Sequence, residues 1–183
     1  MGKVRLAPVA AFIVAGIIAL GTGVLLPSCI KHSASAAVVL PGESLSAVDQ
    51  NDSELLRIAG EARNSLSVFF RHLNRAGAGE RNFSVKYPFA ADAGSGVDTE
   101  QIWLTGIRFR NGQYYGTLAG APAHISGMKN GDTVTFIADN ITDWMYVKDG
   151  KIIGGQSIKY LLERIPANSR SSGQNKLLEM FEY

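Results

Sequence analysis

Residues 100–119 read EQIWLTGIRFRNGQYYGTLA, and they predict an antiparallel β-hairpin. Two runs rich in β-branched and aromatic residues flank the dipeptide Asn111-Gly112. Both residues of this dipeptide tolerate a positive φ, which a two-residue hairpin turn requires. A second dipeptide of the same kind, Asp149-Gly150, lies between two further β-rich runs. The sequence therefore predicts two hairpins in an antiparallel sheet.

Helical patterns lie on both sides of these hairpins. Apolar residues recur every three to four positions over Ser53–Leu73, and Asp52 and Ser53 offer side-chain oxygens to cap the helix. A shorter pattern over 158–165, followed by Pro166, predicts a C-terminal helix. We therefore expect an α+β domain in which an N-terminal amphipathic helix packs on a strongly bent antiparallel sheet or partial barrel.

The N-terminus predicts export. Residues 7–26 carry no charge, and twenty residues are long enough to cross the hydrocarbon core of a membrane. Lys3 and Arg5 precede this run and favour a cytoplasmic N-terminus, so the rest of the chain is directed across the membrane. The following residues, 26–29, resemble a bacterial lipobox, which implies that Cys29 becomes the lipidated N-terminus.

Two alternatives to lipidation stay open. An uncleaved single-span anchor is favoured by the length of the apolar run, because a secretory apolar region is normally about 7–15 residues. Ordinary signal cleavage near residues 34–36 is the other alternative. All three interpretations place the folded part outside the cytoplasm, in the cell envelope and facing the periplasm or the exterior.

Four segments follow from these patterns. Residues 1–29 are the signal, lipobox or anchor, and residues 30–52 are a flexible tether rich in small residues. Residues 53–166 form a single α+β domain. Residues 167–183 are a polar tail with a short apolar end.

A series of short motifs resembles a known family. The most specific is ITDWMYV at residues 141–147, with Gly131-Asp132 before it and Gly154-Gly155 after it. Together with the upstream helix and strand, these motifs resemble the YegJ-like bacterial family, also called domain of unknown function 2314, over roughly residues 53–165. The resemblance implies an α+β fold. It implies no activity, because the family carries no established one.

Charge and composition argue against several classes of function. Without Lys3 and Arg5, the basic and acidic residues balance at 16 each, so no basic stripe indicates nucleic-acid binding. The single cysteine and three histidines lack metal-ligand spacing, and the glycine-rich segments lack a phosphate-loop ending. We therefore expect no cofactor, no metal and no nucleic-acid partner.

Catalytic groups are sparse, whereas aromatic residues are plentiful. A small hydrolase would combine Asp143 or Glu100 with His124, but no strained nucleophile motif accompanies them. Each carboxylate has a structural alternative, and Asp143 at a strand start can hold backbone N–H groups. A binding site would use rigid aromatic faces and nearby polar groups. The candidate ligand-binding residues are Tyr114, Tyr115, His124, Asp143, Trp144 and Tyr146.

Strand alternation sorts some of these residues. Trp144 and Tyr146 lie on one face of their strand, and Met145 and Val147 lie on the other. We therefore expect only one of these pairs to belong to the core. Trp144 is the better core candidate, and Tyr114 or Tyr115 the better exposed one.

The function that we expect is an envelope-anchored, non-catalytic binding module for a protein or cell-wall ligand. One alternative is the small hydrolase. Another is an inhibitor or immunity-type protein, which would present the loop 119–130 as a protrusion.

Overall fold

The structure, a computed structural model, describes residues 52–181. Its elements in chain order are α1 (Ser53–Asn64), α2 (Leu66–Asn74), β1 (Glu80–Ala90), β2 (Thr99–Arg110), β3 (Gln113–Leu118), β4 (Thr133–Phe136), β5 (Asp143–Lys148), β6 (Lys151–Gly154), α3 (Gln156–Arg164) and α4 (Ser172–Glu179). The predicted α+β class is confirmed. The predicted anchor, the tether up to residue 51 and Cys29 lie outside the described residues.

The six strands form one antiparallel sheet in the order β4-β3-β2-β1-β5-β6. The sheet is open, with β4 and β6 at its edges. Both predicted hairpins are present, and their turns have the expected positive φ. The values are 50° and 77° at Asn111 and Gly112, and 48° and 83° at Asp149 and Gly150.

The helix that we expected over 53–73 is divided at Ser65 into α1 and α2. The Ser65 hydroxyl donates to the carbonyl oxygen of Glu61 (2.7 Å) and accepts from the indole N–H of Trp144 (3.0 Å). A serine that bonds back to the preceding turn often bends a helix. The apolar period continues through the break, so periodicity alone predicts one helix.

Both faces of the sheet are covered near β5. Trp144 and Tyr146 lie on the front face, which packs against α1 and α2. Met145 and Val147 lie on the back face, in a cluster with residues of α3, α4 and the C-terminal Phe181. The expectation that only one of these pairs is buried is therefore wrong, because the C-terminal helices cover the second face.

The sheet curves over its front face. The rings of Tyr87 on β1 and Phe136 on β4 lie 5.8 Å apart, although β2 and β3 separate these strands. In a flat sheet the two backbones would be about 14 Å apart. The rings of these two strands therefore meet in the aromatic core of the front face.

The C-terminal residues cover the β6 edge. The Ile152 N–H donates to the carbonyl oxygen of Met180 (2.7 Å), and Phe181 forms a parallel bridge with Ile152. Phe181 is 1% exposed.

None of the helices described within residues 52–181 combines the length and the hydrophobicity that a membrane span requires.

Candidate functional site

The two central strands of the sheet separate along part of their length. β1 and β2 pair from Ala90 and Thr99 as far as Val85 and Leu104. Beyond that point β1 pairs only with β5, and β2 pairs only with β3. The separation opens a cleft between the strands, which we call the β1–β2 cleft.

Two irregularities accompany this separation. The register of β1 against β5 shifts between Arg81 and Ser84, and that of β2 against β3 shifts between Thr105 and Arg108. Gly106, inside the second shift, has a φ of 58°. Bulges of this kind increase local twist and end pairing, so they account for the divergence of the strands.

The cleft has a volume of about 370 Å³ and is mainly apolar. A cavity of about 150 Å³ is enough to hold benzene, so the β1–β2 cleft has room for a group twice that size. Its polar side chains are already engaged. The Ser84 hydroxyl donates to Asn82 O (3.2 Å), and the Thr105 hydroxyl donates to Thr117 O (3.4 Å). The lining residues are Leu73, Asn82, Phe83, Ser84, Thr105, Gly106, Ile107, Met145, Val147 and Ile152.

A buried polar cluster lies on the back face next to the cleft. Its lysine is two residues along β1 from Ser84, which lines the cleft. The cluster consists of Lys86, Asp143 and Ser157, whose exposed fractions are 6%, 2% and 3%. The Lys86 ammonium donates to the Ser157 hydroxyl (3.2 Å), and the Ser157 backbone N–H donates to the Asp143 carboxylate (2.8 Å). The other oxygen of Asp143 accepts from the backbone N–H of Trp144 (2.8 Å).

The local sequence explains why Asp143 is placed there. Gly155 occupies the N-cap position of α3 and has no side chain that could cap the helix. Asp143, from the neighbouring strand, supplies the carboxylate instead. A negative charge is also favourable at a helix N-terminus. The backbone N–H groups that we expected Asp143 to hold at the strand start are those of Trp144 and, from α3, Ser157.

Burial shifts the pKa values of both charged side chains in this cluster. Burial raises the pKa of the Asp143 carboxyl above its ordinary value, although hydrogen bonds from Ser157 and the charge of Lys86 oppose the shift. Burial also lowers the pKa of the Lys86 ammonium, and the charge of Asp143 opposes that shift. A lysine beside a serine hydroxyl is a known nucleophile–base arrangement. Here, however, α3 covers both groups, so the cluster fastens the helix to the sheet.

The loop that contains His124 is separate from this buried cluster. The Glu100 carboxylate accepts from the backbone N–H groups of Ala123 and His124 (both 2.8 Å). The Asp92 carboxylate accepts from the Ser126 N–H (2.6 Å), and these contacts tie the loop to the sheet. Such tethering lends no support to a protruding inhibitor loop.

The hydrolase residues are not gathered into one site. Glu100 pairs with Phe89 on the front face, whereas Asp143 pairs with Lys86 and lies in the cluster on the back face. Three residues along β1 separate the two positions, which is about 10 Å of strand. His124 therefore lies with Glu100 and not with Asp143.

The aromatic candidates divide between core and surface. Trp144 and Tyr146 are 9% and 4% exposed, and their rings stack in the front-face core. Tyr114 is half-buried and stacks on Phe70, with ring centroids 4.8 Å apart. Tyr115 is also half-buried, and its hydroxyl donates to the Gln113 side chain (3.3 Å).

Sequence reasoning missed Lys86, Ser157 and the cleft. Lys86 occupies a position that alternation places on a solvated face, and only the packing of α3 buries it. Within residues 52–181, no three His, Cys, Asp or Glu side chains gather closely enough to hold a metal ion.

Comparison with known proteins places the chain in a family. Residues 52–177 match the family described as "Uncharacterized protein conserved in bacteria (DUF2314)". Uncharacterized protein YegJ of Escherichia coli K12 is 31% identical over 117 residues, which cover 64% of this chain and 72% of YegJ. No solved structure matches the chain.

A second relative is longer. A protein of Neisseria meningitidis serogroup B that is named for ankyrin repeats is 30% identical over 128 residues, which cover 68% of this chain. The matched part spans about half of that protein, 51% of its length. The resemblance to the YegJ-like family that the sequence motifs predict is confirmed, and this chain belongs to the DUF2314 family.

Proposed function

We propose that this protein is a non-catalytic binding module held at the cell envelope, and that the β1–β2 cleft is its binding site. The observation that carries the proposal is the separation of β1 and β2 beyond Val85 and Leu104. A continuous central pair of strands would leave no space there. The separation instead leaves a cavity of about 370 Å³. Pockets for small ligands typically measure about 300–1,000 Å³ and are mostly apolar.

The lining of the cleft predicts the chemistry of its ligand. Leu73, Phe83 and Ile107 offer apolar surface on one side, and Met145 and Val147 offer it on the other. An apolar group of the size of two fused rings, or a short acyl chain, fits such a space. Lone pairs on the Ser84 and Thr105 hydroxyls remain able to accept a hydrogen bond from the ligand. The ligand is therefore mainly apolar with few polar atoms.

A fluorescence titration tests the cleft. The chain from Asp52 onward carries the described fold, and the neutral naphthalene dye prodan is the probe. We expect saturable binding with blue-shifted emission. Ile107→Phe, which adds a ring at a wall residue that is 8% exposed, should weaken binding at least tenfold. Ile137→Phe makes the same exchange at a residue that is 62% exposed and outside the cleft, and should bind like the parent chain.

Thermal unfolding of both variants shows whether each is folded. Equal dye binding by a folded Ile107→Phe and by the parent chain would exclude the cleft as the binding site. If Ile107→Phe does not fold, Thr105→Gln at the cleft wall provides the same comparison.

Envelope anchoring is the second part of the proposal, and its support comes from residues 7–26 and Cys29. The intact mass of the full chain from a bacterial host, beside Cys29→Ser, tests it. A mass that begins at Cys29 and includes lipid, lost in the variant, is the expected result. An unshifted full-length mass would replace lipidation with an uncleaved anchor. A soluble chain cleaved near residues 34–36 would exclude anchoring.

A further inference from the structure

The tip of the β2–β3 hairpin, residues 107–115, presents an exposed aromatic side chain. Phe109 is 61% exposed, and it is the one aromatic residue among the large apolar side chains that are exposed within residues 52–181. Its ring lies 4.7 Å from that of Tyr114, which in turn stacks on Phe70 at 4.8 Å. A row of rings thus runs from the core to the tip and holds Phe109 in place.

Arginines flank this ring. Arg108 and Arg110 are exposed, and neither guanidinium has an ion-pair or side-chain hydrogen-bond partner in the part of the chain that the structure describes. Residues 101–131 contain no aspartate or glutamate, so the tip at residues 107–115 has no carboxylate within its own segment. The tip therefore combines local positive charge with exposed aromatic surface.

We propose that this hairpin tip binds an anionic lipid surface, with Phe109 entering the interface and both arginines contacting phosphate groups. Aromatic rings and snorkelling arginines are the side chains that a membrane interface accommodates. Each arginine close to an anionic surface strengthens association roughly fivefold. The alternation of the strand places Phe109 on one side of the hairpin and the arginines on the other, so a tip-first approach lets all three reach the headgroups.

The proposal draws on the envelope anchoring proposed above. The 23 residues from 30 to 52 can span no more than about 80 Å, so anchoring at Cys29 keeps the domain near its own membrane. At that distance the effective concentration of lipid is high, so a contact that is weak in solution becomes occupied.

Hydrogen exchange measured on the full chain in nanodiscs tests the inference. One set of discs contains phosphatidylcholine alone, and the other also contains phosphatidylglycerol. We expect exchange at residues 107–115 to slow at least fivefold on the anionic discs only. Arg108→Gln/Arg110→Gln and Phe109→Ala should each remove this protection. Arg63→Gln/Arg75→Gln changes the same net charge at exposed arginines outside the hairpin and should retain it.

The outcomes separate this inference from the anchoring. Co-migration of the chain with both kinds of disc, but without protection of the tip on anionic lipid, would overturn the hairpin contact and leave the anchor intact. Binding to anionic discs alone, with the tip protected, would support the contact and exclude the anchor. Equal protection on both lipids, or its loss in the Arg63/Arg75 control, would also overturn the inference.

Discussion

Replacing Asp143 by Leu lowers the free energy of unfolding by about 3–5 kcal/mol, because it removes the carboxylate whose charge acts on the buried Lys86 ammonium. The variant also leaves the backbone N–H groups of Trp144 and Ser157 without their acceptor. Urea denaturation at pH 7 measures the change. Asp139→Leu is the matched control, since Asp139 is exposed, and we expect it to change stability by less than about 0.5 kcal/mol.

The partner lysine provides a second test of the same cluster. Lys86→Met should recover part of the loss when it is added to Asp143→Leu, because no lone charge then remains. Purely additive losses in the double variant would mean that Lys86 and Asp143 do not interact.

The stability of the single variant Lys86→Met should depend on pH in a definite direction. Burial raises the pKa of Asp143, and removing Lys86 takes away a charge that opposes this shift. A group whose folded-state pKa is raised contributes stability that is complete below its unfolded pKa, about 3.9, and is lost as the pH rises through its folded pKa. The free energy of unfolding of Lys86→Met should therefore fall further below that of the parent chain as the pH rises from about 4. A deficit independent of pH would contradict this assignment.

Local chemistry made some features of the fold predictable. Asn111-Gly112 and Asp149-Gly150 require positive φ within two residues, and no distant contact is needed to recognise them. The family motif at residues 141–147 is equally local, and the family it indicates is confirmed. These features depend on neighbours in sequence, which a single chain displays directly.

The buried cluster and the cleft depend instead on distant pairings. Lys86 and Ser157 are 71 residues apart, and only the packing of α3 on β1 joins them. The cleft exists because the register of β1 and β2 stops at Val85 and Leu104, and alternation along either strand does not reveal where pairing stops. The Ser65 hydroxyl at the helix break likewise accepts a hydrogen bond from a distant residue, the indole of Trp144 on β5. For side chains of this kind, the adjacent residues in the sequence do not indicate which distant residue they contact.

Gly154, where β6 turns towards α3, provides the second large expected effect. Its φ is 79°, a left-handed conformation that costs an alanine about 1–2 kcal/mol. A Cβ atom there would also overlap the carbonyl oxygen of Trp144 and lie 2.8 Å from its indole ring. Trp144 cannot yield readily, because its indole N–H is held by Ala62 and Ser65. We therefore expect Gly154→Ala to lower the free energy of unfolding by about 3–5 kcal/mol.

Gly150 isolates the steric part of this effect. Its φ is 83°, close to that of Gly154, yet a Cβ atom at Gly150 would meet no atom within 4 Å. Gly150→Ala should therefore lower the free energy of unfolding only by the conformational cost of about 1–2 kcal/mol. The difference between the two variants measures the contact with Trp144. Urea denaturation of both variants in parallel gives this difference. Equal losses would mean that the backbone at Gly154 moves away from Trp144 at little cost, and that the turn into α3 is less tightly packed than the distances indicate.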